Sequence, residues 1–183
     1  MFDWTAFVVF FTLPWAELFV IVLFIQKQDW ATWFEALKKP TIAPPLAWFR
    51  KLGCAACVAL GGFGFLVDHL GNPDHAALHL SLSFYLLHLV LTAAFLVLFF
   101  EQHRLGFATI FAVAALVAFT VAFIAGALAT AWSLLFGLPY FLLITVVSFS
   151  CGQIAWENAS RGGVVVTVDN GSAKDTDDIF FNQ

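Results

Sequence analysis

Charge is scarce in this chain. Only 11% of its 183 residues are Asp, Glu, Lys or Arg, against roughly 25% in a typical soluble domain. The 8 Lys and Arg are outnumbered by 12 acidic residues, for a formal charge of −4. No basic surface therefore offers itself to phosphate, and a nucleic-acid partner is excluded. Cysteines are few and odd in number, at 3, which does not make a disulfide framework. Cys54 and Cys57 form a C-x-x-C. Without a second ligand pair or a soluble redox context they read as small packing residues, and no metal site is expected. No Ser/His/Asp, metal-ligand or phosphate-loop constellation is present, so no enzyme is expected on these grounds. The segment MFDWTAFVVFF has an acid where a signal peptide has Lys or Arg, and it reads as a first span.

Apolar residues are abundant. They make up 62% of the chain, with 23 Phe and 7 Trp, and mean hydropathy is +0.92. Five long apolar runs follow one another, near 5–25, 52–67, 78–100, 105–127 and 131–155. A membrane helix needs about 20 such residues, and the runs show no period-2 alternation. The fold expected is an all-α membrane protein, a five-transmembrane-helix bundle over residues 1–158, with the lipid bilayer as its surroundings. The second run is short unless it begins at Trp48, and the break between the fourth and fifth, near Gly126 to Thr130, is the weakest. A polar, proline-rich first loop spans 27–50, and the acidic tail 159–183 reads as disordered. With five spans, every Lys and Arg falls on one side: Lys27, Lys38, Lys39, Arg50, Lys51, Arg104, Arg161 and Lys174. The positive-inside rule then puts the first loop and the C-terminus in the cytosol. The sequons at Asn158 and Asn170 would stay unused there.

Small residues recur at spacing four, at Ala114, Ala118, Ala122 and Gly126, and again at Gly53, Cys57 and Gly61. Each set lies on one helix face and permits close approach. Packing within the chain is the first reading, and a homodimer through the Ala114–Gly126 face is the second. Among intramembrane polar groups, Glu17 and His88 sit at depths that differ by about 3 Å at the helical rise of 1.5 Å per residue. Two readings stand side by side: a Glu17–His88 pair lining a cavity, or a locally bonded Glu17 and a satisfied core His88. Thr92 shares the face of His88. The loop residues Trp30, Trp33, Phe34, Leu37 and Trp48 flank Pro40, Pro44 and Pro45. Prolines stiffen the loop, which reads either as a lid or as an interfacial anchor.

At this loop the sequence resembles a known family. W-x-x-x-L-K-K-P-x-x-x-P-P, Trp33 to Pro45, is similar to the first-loop signature of the translocator protein / tryptophan-rich sensory protein (TspO/MBR) family. YLLHLVLTAAFLVLFFEQHRLG, Tyr85 to Gly106, resembles its third helix and the turn after it. Leu138 to Tyr140 (LPY) and Ile154 to Asn158 (I-x-W-x-N) resemble its fifth. There are departures. The second Trp of the first-loop motif is Ile42, and the P-x-W of the second helix is Lys51-Leu52-Gly53. The N-W-A-W segment of the third is Thr92-Ala93-Ala94-Phe95. The Trp after P-Y is Leu143, and the later Asn falls near Cys151. The resemblance implies a cavity among five helices, capped by the first loop, for porphyrins (tetrapyrroles), sterols or synthetic aromatic ligands. Carried over, Trp33, Pro44 and Pro45 belong to the lid, and His88, Thr92, Phe95 and Leu143 face the pocket. It implies the outer mitochondrial membrane in a eukaryote and a cell-envelope membrane in a bacterium. The leading expectation is a binding protein or carrier for a hydrophobic small molecule, with no cofactor. A porphyrin-degrading or redox-linked enzyme, and an interaction module without ligand transport, are the alternatives.

Overall fold

The computed structural model describes residues 3–25, 30–41, 46–72 and 76–159. Among these residues lie six α-helices and no strand: α1 (Trp4–Ile25), α2 (Trp30–Ala36), α3 (Leu46–Leu70), α4 (Ala76–Leu96), α5 (Leu105–Ala129) and α6 (Leu134–Ala159). Pro44, Pro45 and the tail beyond Ala159 lie outside the described residues. Among the described residues four helical segments are long and apolar enough to cross a membrane: 51–70, 76–101, 105–129 and 131–158. α1 adds a shorter apolar segment, Trp4–Phe19. Exposed side chains are apolar around the barrel of the bundle, as at Val90, Phe107, Ile110, Leu128 and Leu135. A soluble protein rarely exposes so continuous an apolar surface. This is a membrane helical bundle.

Local chemistry sets the helix ends. Asp3 caps α1, its Oδ1 accepting from the amides of Thr5 at 2.9 Å and Ala6 at 3.1 Å, two donors that a helix start otherwise leaves unpaired. α4 runs on into a π turn, Val97–Glu101, where the Gln102 amide donates to Val97 O at 3.1 Å. The turn beyond it holds His103 at a φ of 54°. The weak break between the fourth and fifth runs is real: Thr130 is extended, with φ −158° and ψ 129°, and a short 3-10 turn, Ala131–Ser133, leads into α6. α3 starts earlier than the apolar run, at Leu46, so that 46–50, the end of the expected first loop, is helical.

The long helices form a ring in the order α1, α3, α6, α5, α4, and the ring closes only lightly where α4 returns to α1. Both small-residue faces are used within the chain. Gly53, Cys57 and Gly61 all face α1. A Cβ at Gly53 would meet Leu18, the Cys57 thiol donates to Pro14 O at 3.4 Å, and a Cβ at Gly61 would lie 3.1 Å from the Phe11 Cα. On α5, Ala118, Ala122 and Gly126 are buried, and a Cβ at Gly126 would press on the Phe63 ring at 2.9 Å. Serines bond across to α5: Ser81 Oγ donates to Ala122 O at 2.8 Å, and Ser148 Oγ to Ala112 O at 3.1 Å. Such bonds are satisfied internally because lipid offers no partner.

Candidate functional site

The centre of the ring is filled by rings. Phe63, Tyr85, Phe119 and Tyr140 are buried there with His88. Phe119 packs edge-on against Tyr140, with centroids 4.6 Å apart, and 5.1 Å from the His88 ring. His88 is fully buried, and both its ring nitrogens are engaged: Nδ1 with Ala115 O at 2.9 Å, Nε2 with Tyr140 Oη at 2.6 Å. A carbonyl accepts only, so Nδ1 carries the proton and Nε2 accepts from the tyrosine hydroxyl. Thr92 Oγ1 donates to His88 O at 2.9 Å. His88 is thus a satisfied core histidine, and no bond to Glu17 forms. Depth along two helices places a pair at one level, but it does not set which way each side chain points around its helix.

The first loop folds over one end of the bundle. Its short α2 turns Trp33, Phe34 and Leu37 inward, where they join a buried cluster with Phe95, Phe99, Phe100 and Ile154. Trp33 stacks on His103, with centroids 4.1 Å apart, and meets Phe99 edge-on at 5.5 Å. Burial pushes the His103 imidazole below its ordinary 6.5, opposed by its bond to the Phe100 carbonyl. A latch holds this strap. Asn158, buried near the end of α6, clamps the Lys38 backbone from both sides: Nδ2 donates to Lys38 O at 3.0 Å, and the Lys38 amide donates to Oδ1 at 3.2 Å. A third bond runs from Nδ2 to Ile154 O at 2.8 Å. Lys38 also pairs with Glu157 at 3.4 Å, and Lys39 Nζ bonds Phe34 O at 2.9 Å.

Open space lies at the seam between α1 and α4. A lateral groove of about 790 Å³ is walled by Leu13, Ala16, Leu89, Val90, Ala93 and Phe111. Its polar lining is Glu17, Gln102 and Arg104. Glu17 Oε1 is buried and has no hydrogen-bond partner among the described residues. Of the candidate site residues read from the sequence, Glu17 alone lines this groove. Trp33, Phe95, His88 and Thr92 belong to the packed interior and the strap, Leu143 is half-buried on α6, and Pro44 and Pro45 are not described. A second groove, of about 530 Å³, lies between α5 and α6 beside the exposed Trp156. No group of three or more His, Cys, Asp or Glu among the described residues is placed to hold a metal ion.

The five-helix ring and its strap occupy the same stretch as a known family model, which matches residues 8–157. The chain belongs to the TspO/MBR family. No curated protein matches it. Within this TspO/MBR chain the family-like motifs have separable structural tasks. L-K-K-P supplies the clamped Lys38, and I-x-W-x-N supplies the clamp, Asn158. The FF pair after α4 supplies Phe99 and Phe100 beneath α2. Sequence reasoning passed over the Asn158 latch and the groove residues Arg104 and Gln102. For Asn158 the signal was present: an amide in the last turn of an apolar helix needs a partner.

Proposed function

We propose that this TspO/MBR chain is a membrane binding protein or carrier for hydrophobic small molecules, with α1 as the fifth span of its bundle. The observation that carries this reading is the seam groove, an apolar hollow with a few polar groups and a volume within the usual range for ligand sites. At one end the groove is lined by Val97 and Leu98 of the π turn and by Gln102 and Arg104 beyond it. The resemblance supplies porphyrins and sterols as the first ligands to try. In this reading the chain binds its ligand, and turnover of the ligand is the alternative that the test below separates. Orientation follows the basic residues: Lys38, Lys39, Lys51 and Arg104 all lie near the strap end, which is then cytosolic.

The test is a titration of the full chain in lipid nanodiscs with protoporphyrin, haem and cholesterol, read by intrinsic tryptophan fluorescence. Saturable binding is expected, and it is lost in Ala93→Trp, which fills the groove while leaving the clamp and the core intact. Binding that survives Ala93→Trp places the site elsewhere. Light-dependent loss of porphyrin absorbance makes the chain an enzyme instead, and no binding of any kind leaves an interaction module.

A further inference from the structure

α1 carries a break in its hydrogen bonding at membrane depth. Pro14 stands inside the helix and has no N–H, so the carbonyl four residues earlier, that of Phe10, loses its helical donor. In lipid such a freed group is satisfied by a neighbouring helix or by an ordered water. Glu17 follows Phe10 by two helical turns, on the same side of α1. Long helical side chains lean toward the N-terminus, which carries the Glu17 carboxyl back over Pro14 and toward the Phe10 carbonyl.

Two other helices close around this spot. From α4 the Tyr85 ring packs on that of Phe10, with centroids 5.9 Å apart. From α3 the Cys57 thiol donates to Pro14 O at 3.4 Å. Glu17 is near enough to Tyr85 and to Cys57 for its charge to act on both. Yet Glu17 Oε1 and Tyr85 Oη are each buried without a hydrogen-bond partner among the described residues, so they do not bond each other directly. Tyr85 is fully buried, and a hydroxyl with no partner at this depth is costly. One water answers all three groups. It accepts from the phenol and donates to the carboxyl oxygen and the carbonyl, and it serves the carboxyl whether or not that carries its proton. Bonding at about 2.8 Å on each side, it bridges oxygens too far apart for a direct bond. Three bonds are what a buried water typically makes. The seam groove reaches Glu17 and gives water a way in.

We propose that Glu17 Oε1, Tyr85 Oη and the Phe10 carbonyl form a binding site for one ordered water, which repairs the proline break in α1 and pins α1 to α4 from inside the seam. The site does not depend on whether the groove outside it binds a ligand.

The experiment is X-ray radiolytic footprinting of the full chain in lipid nanodiscs, in which hydroxyl radicals born from a bound water mark the side chains beside it. Tyr85 and Phe119 are both fully buried and serve as site and control. Tyr85 should label at least about tenfold faster than Phe119, because an internal water is the radical source in an otherwise dry core. Glu17→Leu removes one partner and fills its place with carbon, and should bring Tyr85 down to the Phe119 rate. Glu17→Gln keeps a carbonyl oxygen there and should keep the fast labelling. Pro14→Ala returns an N–H to the Phe10 carbonyl and should slow the labelling several-fold without altering Glu17 or Tyr85. It decides the question if melting shows that Glu17→Leu does not fold. Labelling of Tyr85 no faster than that of Phe119 in the unaltered chain overturns the proposal, and so does fast labelling that survives Glu17→Leu or Pro14→Ala.

Discussion

Replacing Asn158 by Ala should unlatch the strap without unfolding the bundle. The side chain is buried and makes two bonds to the Lys38 peptide, at 3.0 and 3.2 Å. Each such bond contributes about 1 kcal/mol net, and leaving a half-buried peptide group unsatisfied adds to that, so the cost is about 2–3 kcal/mol. The loss falls on one local opening, because the rest of the α2 contact is apolar packing of Trp33, Phe34 and Leu37. Hydrogen exchange at the Lys38 amide should then quicken by roughly 30- to 150-fold, at 1.4 kcal/mol per decade. Trypsin gives a second readout: the Lys38–Lys39 bond becomes cleavable, while the bond to Pro40 resists. The control is Lys38→Gln, which removes only the pair with Glu157. That pair is 3.4 Å long between side chains 54% and 30% exposed, so water screens it and the change should stay within a few-fold. A change at Lys38 of less than about fivefold in Asn158→Ala, or one as large in Lys38→Gln, would refute the latch.

Tyr140→Phe removes the 2.6 Å donor to His88 Nε2 and leaves it only Thr92 Oγ1 at 3.4 Å, which should cost about 1–3 kcal/mol in detergent unfolding. A double-mutant cycle with His88→Leu should show coupling, because removing both partners costs less than the sum of the single changes. Gly126→Ala should destabilise by about 1–3 kcal/mol, since its Cβ would lie 2.9 Å from the Phe63 ring and 3.0 Å from Ser81 Oγ; an unchanged melting temperature would mean that α3 and α5 do not meet there. For His103 the folded state favours the neutral ring, with burial as the main cause. Its contribution is therefore fully present above its ordinary 6.5 and is lost as pH falls below that value toward the lowered one. A melt series from neutral to mildly acidic pH should show this decline, and His103→Phe should flatten it.

The spans were legible because continuous apolar runs have one economical structure in lipid, and the Gly53–Cys57–Gly61 face was legible because spacing four repeats on a helix. What escaped was direction and short range. α2 is hidden in the sequence because seven residues, Trp30–Ala36, are too few for a periodicity to stand out beside Lys and Pro. Its inward face is nonetheless written at Trp33, Phe34 and Leu37. Charge at Arg50 marks the edge of an apolar run and so places that residue in the loop, yet a helix can carry its first turns beyond the hydrocarbon. Glu17 and His88 were matched by depth, which sequence reports. Rotation about the helix axis, which put one on the seam and the other against Tyr140, depends on crossing geometry that no single helix encodes. Carrying residues over from the resemblance pointed at His88, Thr92 and Phe95. In this chain aromatic rings fill the space around His88, and the larger of the two described grooves lies at the α1–α4 seam.

Gly61 makes α1 and α3 behave mechanically as one leaf. With Phe11 Cα only 3.1 Å from where a Cβ would stand, the two backbones are in contact, and neither can slide without the other. The light α1–α4 seam is therefore a door edge rather than a loose helix. On its other side the same pair is held to α6, where a Cβ at Gly62 would lie 2.7 Å from the Phe136 ring.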